Sequence, residues 1–252
     1  MNNYTQNRDD LNPPQIHNDP HSAHKSAIWN LAVNLVFENS ADFNGYAASV
    51  AHEHILNNID IDKAQKAIES HYTNEQNAGA KGVSPALYII CVRVAKILSY
   101  KGCNLSADIF ASIQDMIFAN LESLDNKAGR SPLSSNQAVF HGSYKKLCAL
   151  IDDEKDMMFD KNNPDKMLEH IAIFTSQLLT VQANEFAQRL TTIIFVIMYA
   201  RSLGFNLQHD FSDRHNSVAT LMKNLEDHSE QTQRQSFLHI YRFLAAVLGN
   251  IK

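Results

Sequence analysis

The longest apolar segment of the chain, Leu190–Ala200, lies between Arg189 and Arg201. Its apolar side chains point in almost every direction around a helix, so it predicts a helix that is enclosed by other helices. The segment is much shorter than the ~20 apolar residues that a transmembrane helix needs. Gly204 follows it, and glycine commonly ends a helix because it adopts left-handed backbone conformations. The segment therefore predicts the centre of a helical body.

A second apolar segment, Pro85–Leu98, is followed by the same pattern of turn residues. The pattern Gly-x-Asn-Leu-x-x-Asp occurs at residues 102–108 and again at residues 204–210. Self-similarity of this kind indicates an internal duplication, although any buried helix that ends at glycine produces part of it. We therefore predict two helical halves, 23–125 and 136–252, that are either duplicated or packed as one continuous domain.

The placement of proline favours helices throughout the chain. All six prolines lie at the edges of apolar periodic segments, where a helix tolerates the missing N–H group and the fixed backbone angle. No stretch alternates between apolar and polar residues as a strand does, so we predict an all-α helical bundle of about ten helices. Residues 1–22 carry hardly any large apolar side chain, and we expect them to form a flexible N-terminal arm.

Charge and cysteine content limit the classes of partner and the cellular compartment. The net charge of −5 gives no general attraction to nucleic acid or anionic lipid. The three cysteines are widely spaced and include no CxxC pair, which argues against a disulfide framework. The polar N-terminus lacks the apolar core of a signal peptide. We therefore expect a cytoplasmic protein whose partner is neither a membrane nor a nucleic acid.

An acidic motif, Asp-Asp-Glu-Lys-Asp, begins at Asp152. Helix positions i and i+4 share a face, so Asp152 and Asp156, with Asp153 beside them, are placed to bind Mg²⁺ held by a diphosphate. The motif resembles the first aspartate-rich motif of prenyl diphosphate synthases and terpene synthases, which are also all-α. Asp210 and Asp213, after the second glycine turn, resemble the second motif of those enzymes in outline. The resemblance implies a Mg²⁺-dependent, diphosphate-processing enzyme with these five carboxylates as metal ligands.

The last predicted helix holds Arg234 and His239 in an RxxxxH pattern. The pattern resembles that of HEPN-type ribonucleases, which are also helical bundles. The resemblance implies that Arg234 holds a phosphate while His239 acts as acid or base on a ribose 2′-hydroxyl. Such a site needs both side chains together in an exposed cleft, at the seam of a dimer.

Two histidines, His52 and His54, flank Glu53. Side chains two positions apart on one helix point about 200° apart, so these two imidazoles cannot share a metal ion. We therefore predict no metal site from this motif, and no cofactor other than the Mg²⁺ of the diphosphate alternative.

Neither enzyme motif is complete in its surroundings. Met157 and Met158 stand where the synthases carry a basic pair, and Phe237 and Tyr241 give the last helix a packing role. We therefore predict a non-catalytic binding or regulatory protein that acts through protein–protein contacts, with a homodimer left open. An exposed apolar patch is expected to mark its site. The diphosphate-processing enzyme and the HEPN-like ribonuclease stay as alternatives.

Overall fold

The computed structural model describes residues 20–74, 83–121, 137–160, 163–181, 186–208 and 232–249, with the backbone alone at 20, 137–143 and 232–236. Within these ranges the chain forms nine α-helices and almost no strand, so the predicted all-α class is confirmed. In chain order the helices are α1 Pro20–Val36, α2 Gly45–Ile55, α3 Ile61–Thr73, α4 Pro85–Ser99, α5 Ala107–Phe118, α6 Gln137–Lys155, α7 Pro164–Val181, α8 Phe186–Ser202 and α9 Thr232–Val247. The linker predicted near residues 125–136 and the helix predicted near residues 212–227 lie outside the described ranges.

Helices of the first half begin at the capping residues that the sequence offers. At the start of α3, the Asp60 carboxylate accepts a hydrogen bond of 2.7 Å from the Lys63 backbone N–H. Ser84 caps α4, where Pro85 occupies the first turn, and Ser106 caps α5. These side chains satisfy N–H groups that have no partner within the helix. Local sequence is therefore sufficient to define these starts.

Helix α1 begins at Pro20, so residues 20–22, which the sequence assigned to the arm, belong to the helix. Ser22 is buried, and its hydroxyl donates a 2.8 Å hydrogen bond to the Ile55 carbonyl. The Lys25 ammonium donates to another carbonyl in the last turn of α2. These contacts with α2 order the first turns of α1, which local composition alone does not predict. Residues 1–19 lie outside the described ranges.

Helices α4 and α8 lie at the centre of the core. Every side chain from Arg189 to Ala200 on α8 is buried, and α4 is buried on most sides. One continuous cluster of buried apolar side chains includes both helices and residues from each of the predicted halves. The central position predicted for the longest apolar segment is therefore confirmed. No helix within the described ranges has the length and apolar composition that crossing a bilayer requires.

The two central helices end side by side. The Arg201 guanidinium, on α8, donates a hydrogen bond to the Leu98 carbonyl, near the end of α4. The Cys103 backbone N–H, just after α4, donates to the Met198 carbonyl at 3.3 Å. Leu98 lies in the last turn of α4, where carbonyl groups have no partner within the helix, so α8 supplies a donor to the end of α4.

The glycine turns after these helices take part in the same contact. A Cβ atom added at Gly102 would lie 2.8 Å from the Ser202 backbone N, closer than real Cβ atoms approach. Gly204 has a φ of 109°, a conformation that favours glycine. Gly204 lies just after the end of α8, as predicted. Helix α4 instead ends at Ser99 with Tyr100 as its C-cap, and Gly102, three residues beyond the helix, allows the two backbones to touch. The internal duplication itself stays a prediction.

After the second glycine the chain forms a short strand. Strand β1, Asn206–Leu207, pairs antiparallel with strand β2, Leu248–Gly249, which directly follows α9. Gln208 extends the contact, because its backbone N–H donates to the Val247 carbonyl at 2.9 Å. This pairing attaches the end of α9 to the end of α8, whereas the corresponding residues of the first half lead into a capped helix.

We expect Gly102→Ala to lower the free energy of unfolding by about 2–4 kcal/mol, because the added methyl group displaces the backbone at Ser202. Urea denaturation followed by far-ultraviolet circular dichroism measures this loss. Gly45→Ala is the matched control: Gly45 has a φ of 62°, but a Cβ there would meet nothing within 4 Å. Its loss should reflect backbone strain alone, about 1 kcal/mol. Equal losses would mean that the approach to Ser202 does not constrain the fold.

Candidate functional site

The acidic motif lies in the last turn of α6, and its residues divide into two groups. Asp152, Asp153 and Asp156 are exposed, and the Asp152 carboxylate pairs with the Lys155 ammonium at 2.6 Å. Glu154 has only 6% of its surface exposed. The buried carboxylate of this motif is therefore the glutamate between the aspartates.

Glu154 connects three helices. Its Oε1 accepts a 2.9 Å hydrogen bond from the Tyr199 hydroxyl of α8, and its Oε2 lies 2.8 Å from His170 Nε2 of α7. Burial first, and then the neighbouring Glu154 carboxylate, raises the pKa of the Tyr199 phenol, which stays protonated and donates. A buried carboxylate is tolerated when both oxygens have partners of this kind. Glu154, His170 and Tyr199 are called the Glu154 cluster below.

The turn between α6 and α7 lies directly on the Glu154 cluster. The Met157 backbone N–H donates to the Glu154 carbonyl at 3.2 Å. The Phe159 ring meets the His170 ring edge to face, with 5.1 Å between the centroids. Met157 is 46% exposed and Met158 is 97% exposed. Residues 157–160, called the methionine turn, therefore have an anchored phenylalanine beneath and two methionines in solvent.

Exposed carboxylates surround the methionine turn. Within the described part of the α6–α7 hairpin, exposed acidic residues outnumber exposed lysines, and no histidine or arginine there is exposed. The acidic residues are Asp152, Asp153, Asp156, Asp160, Asp165 and Glu169; the lysines are Lys155 and Lys166 close to the turn, and Lys145 and Lys146 farther back on α6. The turn thus combines an apolar tip, formed by Met157 and Met158, with an acidic rim, formed by the exposed carboxylates named above.

Three of the five predicted metal ligands lie in the part of the chain that the structure describes. Asp152, Asp153 and Asp156 face solvent, and Asp210 and Asp213 lie outside the described ranges. Over the residues that the structure describes, no group of three or more His, Cys, Asp or Glu side chains is arranged to hold a metal ion. The Mg²⁺-dependent alternative stays a prediction that nothing in the described geometry supports.

The ribonuclease pair is only half described. His239 is partly buried on α9, while the Arg234 side chain lies outside the described part of the chain. The neighbouring Phe237 and Tyr241 rings lie 6.3 Å apart on the same helix. The HEPN-like alternative likewise stays a prediction.

The two histidines of α2 have different surroundings. His54 is buried, and its Nδ1 accepts a 2.9 Å hydrogen bond from Trp29 Nε1, whereas His52 is exposed. Burial, followed by the nearby Lys25 ammonium, lowers the pKa of His54 to about 4. His54 is therefore neutral at pH 7 and acts as a hydrogen-bond acceptor inside the first half.

Sequence patterns point to the exposed aspartates and miss the Glu154 cluster. One signal for Glu154 exists, because Leu147, Ile151 and Glu154 follow helical spacing and the structure buries all three. His170 and Tyr199 give no local signal, since they lie 16 and 45 residues from Glu154. The exposure of the two methionines also depends on these distant contacts.

Three comparisons with known proteins were made. A scan against protein-family models, a search of curated proteins and a search of solved structures each found no match for this chain. The function of the methionine turn therefore has to be inferred from its own geometry and charge.

We expect Glu154→Ala to lower the free energy of unfolding by about 2–4 kcal/mol, because it leaves the Tyr199 hydroxyl and a His170 N–H without their buried acceptor. Urea denaturation followed by circular dichroism measures the change. Asp153→Ala removes a carboxylate one position away that is exposed, and its effect should stay within about 0.5 kcal/mol. Similar values for the two variants would contradict the anchoring role of Glu154.

We expect the free energy of unfolding to decrease as the pH is lowered, partly because of His54. Its pKa is lower in the folded chain than the ordinary 6.5, so the unfolded chain binds the proton more tightly. The stabilisation is complete above pH 6.5 and is lost progressively as the pH falls towards 4, by on the order of 2 kcal/mol. His54→Asn keeps an acceptor near Nδ1 and does not titrate. Unfolding curves from pH 7 to pH 4 should therefore converge for the two proteins, and parallel curves would contradict the assignment.

Proposed function

We propose that this chain is a non-catalytic binding or regulatory protein that recognises a protein partner through the methionine turn. The observation that carries the proposal is the exposure of Met158, which is 97%, beside a half-exposed Met157 on an anchored turn. Single exposed apolar residues are common on protein surfaces. Here two consecutive ones lie on a turn whose underside is fixed by a buried polar cluster.

Methionine suits such a contact for physical reasons. Its unbranched, polarisable side chain adapts to irregular apolar surfaces. Covering one methionine side chain contributes roughly 1.5–3 kcal/mol through the hydrophobic effect. Because the Glu154 cluster and Phe159 already hold the turn in place, a partner loses less free energy to ordering it.

The Glu154 cluster fits an anchoring role better than a catalytic one. Both oxygens of the Glu154 carboxylate are occupied, by Tyr199 and by His170. The acid that lies deepest in the motif is thus used inside the protein, and the acids at the surface surround the apolar tip. This division of roles supports recognition at the turn.

A random-peptide display selection on the immobilised chain tests the proposal without assuming a partner. Selected peptides should bind the wild type and lose at least tenfold in affinity for the double variant M157S/M158S, because each tenfold corresponds to about 1.4 kcal/mol of lost contact. Fluorescence anisotropy of the individual peptides measures the affinities.

Leu56→Ser is the matched control, because Leu56 is 46% exposed at the end of α2, as Met157 is at its turn. This variant should bind the selected peptides like the wild type, and circular dichroism should show all three proteins folded. If no peptide is enriched, or if the peptides bind M157S/M158S unchanged, the proposal fails.

A further inference from the structure

We infer that the partner of the methionine turn is a basic amphipathic segment of a protein, with apolar residues that cover the methionines and lysines or arginines that meet the acidic rim. The inference rests on the proposed function and adds the chemistry of the partner. Three features of the described hairpin support this inference. They are the position of the carboxylates around the methionines, their unfavourable electrostatic energy in the free protein, and their separation from one another.

The first feature is the position of the charges relative to the apolar tip. Asp153 and Asp156 precede the two methionines, Asp160 follows them, and Asp165 and Glu169 lie in the first turns of α7. All five are exposed. A partner that covers the tip therefore brings its own flanking side chains to carboxylates on either side. Opposite charge at those positions speeds association and excludes acidic competitors.

The second feature is that some of these carboxylates are unfavourable in the free protein. The C-terminal end of a helix carries a partial negative charge, which favours cations and disfavours anions. Helix α6 nevertheless has Asp152 and Asp153 in its last turn and Asp156 directly after it. Among the described residues, Lys155 forms an ion pair with Asp152. A basic segment bound at the turn would add positive charge to a helix end where three aspartates face one lysine.

The third feature separates a basic segment from a metal ion. Metal ligands converge on one point at about 2 Å from the ion, whereas no such group occurs in the described residues. Carboxylates that are spread around the turn can instead pair with several lysine or arginine side chains distributed along a helix or strand of the partner. An apolar tip between the charges adds a requirement that a small cation does not satisfy but an amphipathic segment does.

Synthetic peptides of about 18 residues, close to five helical turns, provide the probes. The first contains lysine and leucine in an amphipathic helical order, the second contains the same residues scrambled, and the third has glutamate in place of lysine. Fluorescence anisotropy with the full chain should show binding of the first probe only. Its Kd should rise at least tenfold between about 50 and 300 mM salt, because salt screens exposed charges.

Variants of the protein then locate the interaction. D153N/D156N/D160N should weaken binding of the first probe at least tenfold. E38Q/D108N/D115N changes the net charge by the same amount at exposed acids outside the hairpin, and it should bind almost like the wild type. D153N/D156N should also shift the urea midpoint upward, since it relieves repulsion at the end of α6.

The outcomes separate the inference from the proposed function. If display selection yields acidic or uncharged peptides that still require the methionines, the partner chemistry is wrong and the binding site stands. If the scrambled probe or spermine competes as well as the amphipathic probe, the surface is only a general polycation binder and the inference is overturned. If both sets of charge variants weaken binding equally, the interaction is not located at the turn, which also overturns it.

Discussion

The hydrogen bond from the partly buried Arg201 guanidinium to the Leu98 carbonyl joins the ends of the two central helices. A buried cation is costly unless its donors are satisfied, and burial accordingly lowers the pKa of Arg201. The carbonyl end of α4 offers both an acceptor and the negative end of a helix dipole. The other described helices pack on α4 or α8, directly or through a neighbour, so this contact lies where the two predicted halves meet.

The candidate site depends on the same helix. Tyr199 lies on α8 just before Arg201, and its hydroxyl reaches Glu154 at the end of α6. The position of the methionine turn is thus fixed by a helix from the centre of the core. A surface turn anchored in this way differs from an ordinary loop, whose backbone hydrogen bonds and side chains mostly face water. Recognition at Met158 would use an apolar group that is already in place.

The sequence predicts those features of the fold and of the candidate site that depend on residues close to one another in the chain. Helix starts at Asp60, Ser84 and Ser106 follow from neighbouring residues, and the buried position of α8 follows from its composition. The Ser202 backbone against Gly102, and His170 against Glu154, depend on packing between distant segments, which no local pattern contains. The spacing of the aspartates in the acidic motif predicts that Asp152 and Asp156 share one face of a helix. Spacing within one helix does not predict which face another helix will cover.

Trp29 is the only tryptophan of the sequence, and it lies among the aromatic rings of the first half, 5.9 Å from Phe43 and 6.2 Å from His54 between ring centroids. Its emission therefore reports on the first half alone, while helical ellipticity reports on both. Two probes with such different coverage reveal whether a chain unfolds in one step, because a single cooperative unit gives coincident transitions. Comparing Trp29 fluorescence with circular dichroism therefore shows whether the two halves unfold together.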